Sequence, residues 1–496
     1  MSTNRASVES GFAVTGVIVV ITIGLALAIA PVMEESTRLP AVAAVALVGG
    51  GAAALSVPVA ALPAIALVLF ALVPQRLIDL DALRTVPLPV IVMIVWLIRR
   101  VTSPLRESDQ SHSRARNAFL VCTFAFLVYS TLSVTFSLSS ITSISWTLVM
   151  FLGVFAPIAV TPTQSEARLL LKVWPVIGAV TALYAVIEFA LQDNVVFDAL
   201  YGLTSSGPLV QHWESYRSHS SFGHPLYAGA FFAASTLLSL GAVVSRRGMA
   251  SWLLLGVNAL GLLVTVSRGA LLATGIGAGV LLITSVLRGD ARGMLRRLLL
   301  VLIGLVAATA AYLSPIVQGR LGSSDVVGSN SLRDRLLEAA LDSAEKSSWL
   351  GSGAGTSRLA LESKGFLFIE SSALQLLVSV GIPGLVLLCI ALIIALGGAI
   401  SHRNFGPLGA LLAFSIAIST YNAIEDLRGT IVLLGLLVVT CFTREASKRP
   451  VDDDGSDGRR RVHSPASNSP RTRPEGGRRT RPTVHPFSSD ARSSLS

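Results

Sequence analysis

The chain has 496 residues, of which 52% are hydrophobic and 14% are charged, and its formal net charge is +10. The mean hydropathy is +0.68, and apolar stretches recur that approach the roughly 20 residues a helix needs to cross a bilayer. This composition excludes a water-soluble globular protein. It predicts an all-α, polytopic integral membrane bundle of about 12 to 14 transmembrane helices.

The expected spans follow the apolar stretches in chain order. They are residues 12–31, 41–56, 57–73, 86–98, 118–138, 144–160, 171–191, 226–244, 252–266, 270–286, 298–313, 372–400, 408–421 and 430–442. The first is longer than the apolar core of a signal peptide, about 7 to 15 residues, so we expect it to be retained. Since the second and third run together and several are short, about twelve spans are the alternative to about fourteen.

The composition changes at the C-terminal end. Residues 443–496 are rich in Ser, Pro, Gly and Arg and lack the apolar side chains of a core, which predicts a disordered tail. The tail holds twelve Lys or Arg against seven Asp or Glu, as expected for a cytoplasmic segment drawn to anionic membrane lipids rather than to nucleic acid. Residues 1–191 are then N-terminal transmembrane helices, and residues 192–442 hold the remaining expected spans.

Basic residues fall in alternate connections, which predicts the topology. With the N-terminus inside, the inner loops hold five Arg within 99–116 and four within 288–297. The positive-inside rule therefore predicts a multi-pass protein of the plasma (inner) membrane with both termini cytoplasmic. Two long loops, residues 192–224 and 315–370, then lie outside. Long loops on a rigid scaffold usually carry function, so the working face is expected there.

The turn Ser267-Arg268-Gly269 places an arginine between two apolar runs, where a charge is costly without a partner. No ATP is available outside the cell, so a reaction there needs an activated substrate delivered by the membrane, and a lipid diphosphate-linked sugar meets that need. Its diphosphate calls for two or more guanidinium groups. The arginines expected outside are Arg217, Arg268, Arg320, Arg333, Arg335, Arg358 and Arg428.

Among these arginines, Arg268 and Arg217 are the leading candidates for anion binding. A structural bridge from Arg268 to a carboxylate such as Asp426 or to loop carbonyls is the alternative, and a structural role is equally open for Arg217. Arg320, Arg335 and Arg358 are interpreted as solvated loop charges. The segment around residues 331–341 has helical apolar spacing and predicts an amphipathic helix that lies on the outer leaflet or packs over the site. A plain loop helix that packs over the bundle is the alternative.

Transfer to a hydroxyl acceptor needs a group that takes its proton, usually a histidine or a carboxylate. The outer candidates are Glu370, Glu214, His219, His224 and Asp426. Glu370 leads because it closes a loop and opens an apolar helix, where loss of water would favour a protonated carboxyl. The alternative is a carboxylate that stabilises a helix N-terminus.

Other chemistries find little support in the sequence. The chain has no Walker A sequence and no His-Glu-x-x-His motif. Cys122, Cys389 and Cys441 all lie in apolar stretches, so neither a disulfide nor a cysteine metal site is expected. The Gly-rich residues 351–355 are interpreted as a turn rather than a nucleotide loop. No cofactor is expected.

Three short motifs occur in a suggestive order. Residues 265–270 are Thr-Val-Ser-Arg-Gly-Ala, residues 349–355 are Trp-Leu-Gly-Ser-Gly-Ala-Gly, and residues 370–377 are Glu-Ser-Ser-Ala-Leu-Gln-Leu-Leu, followed by Gly-Ile-Pro-Gly at 381–384. Upstream, Arg217 precedes Phe-Gly-His-Pro at 222–225. In order and spacing this region, about residues 217–388, resembles the core of the O-antigen ligase and O-antigen polymerase family.

The resemblance implies an all-helical membrane glycosyltransferase that uses neither a nucleotide sugar nor an obligatory metal. Residues 192–442, with the loops 192–224 and 315–370, would form its ligase- or polymerase-like catalytic core. Such enzymes take a glycan from a polyprenyl diphosphate carrier and pass it to a sugar hydroxyl: ligases to a lipid or wall glycan, polymerases to another carrier-linked repeat. By position, Arg217 and Arg268 would hold the diphosphate, with His224 beside them and Arg333 assisting. Glu370 would occupy the place of the base, where ligases of the family typically carry a histidine.

Two other classes remain open. A transporter or flippase for a lipid-linked glycan or an anionic solute would show charged or broken helices near the midplane. Here the charges gather at the outer boundary, and only Gly-Ile-Pro-Gly at 381–384 suggests a broken helix, which a Pro383 kink would explain. A non-catalytic scaffold in a polysaccharide export complex is the third class.

Overall fold

The computed structural model describes residues 57–74, 86–102, 113–160, 163–202, 216–245, 248–288, 324–366 and 368–443, with a few positions within 294–304. Over these residues the regular structure is entirely helical. The predicted all-α fold is therefore confirmed. The expected spans 12–31 and 41–56, most of the span 298–313, and the tail from residue 444 lie outside the described residues.

The described helices are numbered here in chain order. They are α1 (Leu62–Leu72), α2 (Leu88–Thr102), α3 (Arg114–Leu132), α4 (Ser140–Met150), α5 (Ala156–Ala159), α6 (Gln164–Leu191), α7 (Val195–Gly202), α8 (Pro225–Ser245), α9 (Met249–Val264), α10 (Arg268–Arg288), α11 (Ser324–Lys346), α12 (Ser357–Glu362), α13 (Ser372–His402), α14 (Phe405–Ser419) and α15 (Gly429–Phe442).

Many of these helices are suited to a membrane. Within the described ranges, six helical segments are long and apolar enough to cross one: Arg114–Phe136, Ser140–Ala159, Gln164–Leu191, Pro225–Ser245, Arg268–Arg288 and Ser372–His402. The shorter apolar helices are Val59–Leu72, Met249–Val264, Phe405–Ser419 and Gly429–Phe442. The chain is thus a multi-pass helical membrane protein.

Hydrogen bonds between helix ends define the two ends of the bundle. At one end, the Arg99 guanidinium donates to the carbonyl of Val57, and that of Arg116 donates to the carbonyl of Ile158. We call this the basic end. At the other, the site end, the amide of Ser372 donates to the carbonyl of Tyr421. The described parts of the predicted inner loops lie at the basic end, and those of the predicted outer loops at the site end.

Helix α14 is central to the bundle because it packs against both α8 and α10. Where α8 meets α14, a Cβ on Gly241 would overlap the Cα of Gly406. Small residues let membrane helices approach until their backbones touch, and van der Waals packing then replaces the hydrophobic effect as the force between them. The contact therefore holds α8 and α14 together.

Helix α13 is broken inside the membrane-spanning stretch. Gly381 has φ 65° and ψ −172°, which no helix accommodates. Such a break frees backbone groups that lipid cannot satisfy. The Gly-rich turn supplies the partners: the amides of Ser352 and Gly353 donate to the carbonyls of Val378 and Ser379, and the amide of Ile382 donates to the carbonyl of Trp349.

The sequence assigned this irregularity to Pro383, but the structure places the non-helical residue at Gly381. Pro383 lies two residues further on, in the first turn after the break, where a missing amide hydrogen costs nothing. The interpretation of residues 351–355 as a turn agrees with the structure, since Gly351, Gly353 and Gly355 all have positive φ.

Helix α11 contains the predicted amphipathic segment. Its residues Leu336, Ala339 and Ala340 form a buried cluster with Leu361, Ile369 and Val378. Of the arrangements that the sequence left open, the structure shows α11 packed over α12 and α13, as a helix over the bundle would be. This part of the loop before α13 therefore belongs to the folded body.

Replacing Gly381 with alanine is expected to destabilise the fold. The added Cβ would overlap the carbonyl oxygen of Trp349, and the positive φ alone costs a side chain about 1–3 kcal/mol. Thermal unfolding of the detergent-solubilised protein measures the effect. Gly397→Ala is the matched control on the same helix, since a Cβ there meets nothing within 4 Å. Equal melting temperatures for the two variants would contradict the role given to the break.

Candidate functional site

Ser372, the first residue of α13, joins two predicted site segments. Its hydroxyl donates to the carbonyl of Tyr421 at 2.7 Å and accepts from the amide of Ala423 at 2.8 Å. The neighbouring Ser371 hydroxyl donates to the carbonyl of Ser419 at 2.8 Å. The start of α13, just after Glu370, is thereby fixed to the connection between α14 and α15.

Arg268 begins α10 on a tightly enclosed turn. A Cβ on Gly269 would lie 2.7 Å from the hydroxyl oxygen of Thr420, and one on Gly229 would lie 3.1 Å from the Cβ of Ser267. The turn is thus wedged between the start of α8 and the end of α14. In the first turn of α10, the amide of Ala270 donates to the hydroxyl of Ser267 and the amide of Leu271 donates to its carbonyl. The positive pole of the helix dipole lies at this end. Arg268 therefore sits where an anion is favoured.

Arg217 lies on the same turn. Its Nε donates to the carbonyl of Thr265 at 3.2 Å, and the amide of Ser218 donates to the carbonyl of Val264 at 3.1 Å. Arg217 is buried. The structure thus places the segment that carries Arg217 against the residues that lead into Arg268, as a shared anion site requires; diphosphate binding by this pair remains a prediction.

His224 belongs to an aromatic row that runs across the site end. Its ring centroid lies 5.4 Å from that of Tyr227, which lies 5.1 Å from that of Tyr421. The Tyr227 hydroxyl donates to the side-chain oxygen of Asn422 at 3.2 Å. Sequence reasoning missed both tyrosines. Tyr227 could have been found because it stands one turn after His224, at the start of α8, whereas nothing in the sequence pairs it with Tyr421.

Glu370 and Arg333 form an ion pair. The Glu370 carboxylate lies 3.6 Å from the Nε of Arg333, and the two side chains are 25% and 42% exposed. A pair with this much access to water contributes about 0–1 kcal/mol to stability. The loss of water that the sequence analysis expected at Glu370 is therefore not seen, because the end of the loop leaves the carboxylate partly solvated beside a guanidinium. This geometry leaves the carboxylate accessible to an acceptor.

A second carboxylate group lies on the connection between α14 and α15. One oxygen of Asp426 accepts from the amides of Gln375 at 3.0 Å and Asn422 at 2.9 Å. Beside it, Glu425 is buried and accepts from the amide and the hydroxyl of Ser357 at 3.1 Å and 2.5 Å. Burial raises the pKa of Glu425 to about 7. The sequence analysis named Asp426 but missed Glu425.

The other predicted candidates divide into three groups. His219 is buried, and its Nδ1 lies 3.0 Å from the side-chain nitrogen of Asn194, so it belongs to the interior. Arg335 and Arg358 are exposed, as solvated loop charges should be. Glu214 and Arg320 lie outside the described residues. In the described part of the chain, no group of three or more His, Cys, Asp or Glu could hold a metal ion.

Comparison with known proteins bears on the same region. Residues 249–389 match the family model described as O-antigen ligase. This range runs from the start of α9 into α13 and includes Arg268, Arg333 and Glu370, while Arg217 and His224 precede it. No curated protein matches the chain.

The stability of the protein is expected to depend on Glu425 between about pH 4.5 and pH 7. Its pKa is raised from 4.5 to about 7 by burial, so the folded protein binds a proton that the unfolded chain releases in this window. Stability therefore falls as the pH rises through it, by on the order of 1–3 kcal/mol. Glu425→Gln carries no such proton. The melting temperature of this variant relative to wild type should therefore be higher at pH 8 than at pH 5. The same difference in melting temperature at both pH values would contradict the assignment.

Proposed function

We propose that the chain moves a glycan from a polyprenyl diphosphate carrier to a sugar hydroxyl, since residues 249–389 of this multi-pass helical membrane protein match the O-antigen ligase family model. The proposed acceptor is a glycan or a glycan-bearing lipid at the outer face of the plasma membrane. The observation that carries the proposal is the docking of Arg217 on the turn that begins α10 at Arg268.

Arg268 lies at the depth that this donor requires. It begins a helix of 21 residues that ends at Arg288, and such a helix is about 30 Å long, the thickness of a hydrocarbon core. Arg268 and Arg288 therefore mark opposite boundaries of the bilayer. The diphosphate of a polyprenyl carrier lies at one such boundary while its chain stays in the lipid, so the donor meets Arg268 without leaving the membrane.

In the proposed reaction, the acceptor hydroxyl oxygen attacks the anomeric carbon of the glycan. The bond from that carbon to the diphosphate oxygen breaks, and polyprenyl diphosphate leaves with the electron pair. Negative charge grows on the leaving group in the transition state. Arg217, Arg268 and the N-terminus of α10 stabilise that charge, which is how fixed donors accelerate such a step.

The acceptor hydroxyl must lose its proton as the new bond forms. Glu370 is the proposed proton acceptor, held by Arg333 at 3.6 Å and partly open to solvent. Asp426 is the alternative, since Gln375 and Asn422 orient its carboxyl at the same end of the bundle. In the proposed mechanism, proton transfer to either carboxylate needs no metal ion, and the glycan donor is not a nucleotide sugar.

The transporter alternative draws on the break in α13, because discontinuous helices often line a substrate path. Here the freed carbonyls of Val378 and Ser379 are bonded to the amides of Ser352 and Gly353. The break is filled by the protein's own loop instead of offering its carbonyl groups to a solute. This observation favours the enzyme over the transporter.

Removing either site arginine should abolish transfer. Arg268→Ala or Arg217→Ala, reconstituted in proteoliposomes with a polyprenyl diphosphate oligosaccharide, should transfer glycan at least about 100-fold more slowly, because a guanidinium contact to developing charge is lost. Lysine variants should transfer glycan at intermediate rates, since they keep the positive charge but lose the two-point hydrogen bonding of a guanidinium.

The same reconstitution separates two classes of product. Longer glycans on the carrier would identify a polymerase, and transfer to another acceptor would identify a ligase.

Arg288→Ala is the matched control for this experiment, since it lies exposed at the far end of the same helix. It should leave the rate unchanged. If Arg268→Ala transferred glycan as fast as Arg288→Ala, the proposed function would have to be abandoned.

The proton acceptor can be assigned by comparing Glu370→Gln with Asp426→Asn. The variant that removes the base should lower kcat by about 100-fold or more with little change in KM, because general base catalysis contributes about 100- to 10,000-fold. We expect Glu370→Gln to do so. A normal kcat for Glu370→Gln together with a collapsed kcat for Asp426→Asn would transfer the role to Asp426.

A further inference from the structure

The segment that carries Arg217 is irregular and needs an anchor. Residues 216–224 form only one short 3₁₀ turn, Ser220–Phe222, before α8 begins. An arginine that grips a diphosphate must be held within a fraction of an ångström of its working position. The residues that hold Arg217 are thus as important to the site as the arginine itself.

One buried carboxyl gathers this segment. Glu188, near the C-terminal end of α6, is 1% exposed. One of its oxygens accepts from the Tyr216 hydroxyl at 3.2 Å and the His219 amide at 3.0 Å, and the other accepts from the Ser220 amide at 2.7 Å. Its partners lie on both sides of Arg217 in the chain.

The backbone around these amides is shaped for an anion. His219 has φ −123° and Ser220 has φ 50°. This change in the sign of φ between neighbouring residues points their two amides at the carboxyl group of Glu188. Such a concavity is a nest, which binds anions through successive backbone N–H groups. A positive φ on serine is strained and persists only where its surroundings enforce it. The Glu188 carboxyl is the group that fills the nest.

The anchor extends directly to Arg217. The Ser218 hydroxyl donates to the carbonyl of Ala185 at 2.8 Å, one turn before Glu188 on α6. The Ser218 amide and the Arg217 Nε reach the other way, to the carbonyls of Val264 and Thr265. Hydrogen bonds therefore hold the segment around Arg217 on two sides. One side is the end of α6, which includes Glu188, and the other is the turn that leads into Arg268.

We propose that Glu188 is a positioning residue for the transfer reaction: it holds Arg217 in the orientation that binds the donor diphosphate. The inference rests on the proposed function. A buried carboxyl on a membrane helix is expensive to keep and marks function more often than stability. Glu188 touches neither substrate nor leaving group in this assignment, and it acts through the backbone of residues 216–220.

The test is a double-mutant cycle on donor binding. The full-length protein in nanodiscs is titrated with a polyprenyl diphosphate that carries no glycan. Glu188→Ala should raise the Kd about tenfold in the wild-type background and less than about twofold in the Arg217→Ala background, because the anchor has nothing left to position. Glu188→Gln should lie between, since an amide oxygen accepts some of the same hydrogen bonds.

Glu166→Ala is the matched control. Glu166 is also buried on α6, but at the basic end, where it accepts from the Trp96 indole at 2.9 Å. If Glu188→Ala lost affinity only because helix α6 is weakened, Glu166→Ala would lose affinity as well. That loss of affinity would also add to the effect of Arg217→Ala. Equal losses for Glu188→Ala in both backgrounds, or no loss at all, would overturn the inference.

Hydrogen exchange separates this inference from the proposed function. Glu188→Ala should speed amide exchange within residues 216–222, whereas Glu166→Ala should not. If the wild-type protein does not bind the probe, the proposed function fails, and the inference with it. If the wild type binds and Arg217→Ala weakens binding, but Glu188→Ala changes neither affinity nor exchange, only the role of Glu188 is refuted.

Discussion

The bilayer forbids unpaired backbone groups, and this constraint organises the site end of the molecule. Helix α13 is interrupted at Gly381, and the carbonyls freed there accept from the amides of Ser352 and Gly353. The loop between α11 and α13 is thereby bound to the helix bundle through main-chain hydrogen bonds. With α11 packed over α12 and α13, the loop forms a fixed roof beside the segment that presents Glu370.

Electrostatics then decides where the chemistry can occur. Arg217 docks on the carbonyl of Thr265, just before the turn at which α10 begins with Arg268. A lipid-borne diphosphate would find its counter-charges there at the depth at which it naturally lies. The carboxyl groups of Glu370, Glu425 and Asp426 lie around the start of α13 and the connection after α14, so the candidate proton acceptors lie at the same end as the proposed anion site.

Much of the fold could be predicted from the sequence, because apolar length alone locates a membrane helix. Arg268 could be singled out because a charge between two apolar runs is rare. The long-range contacts could not be foreseen: Tyr227 and Asn422 are 195 residues apart, and Glu425 and Ser357 are 68 apart. The break in α13 was assigned to Pro383 since proline is the usual cause, while the φ of Gly381 depends on a loop thirty residues away.

The contact between Gly241 and Gly406 limits how the protein can move. Two backbones that touch cannot slide or tilt past each other without losing their packing, so α8 and α14 behave as a single rigid unit. A mechanism that rocks two half-bundles apart has no hinge along this seam. The proposed lipid carrier would then reach the site sideways within its own leaflet rather than through an opening between two half-bundles.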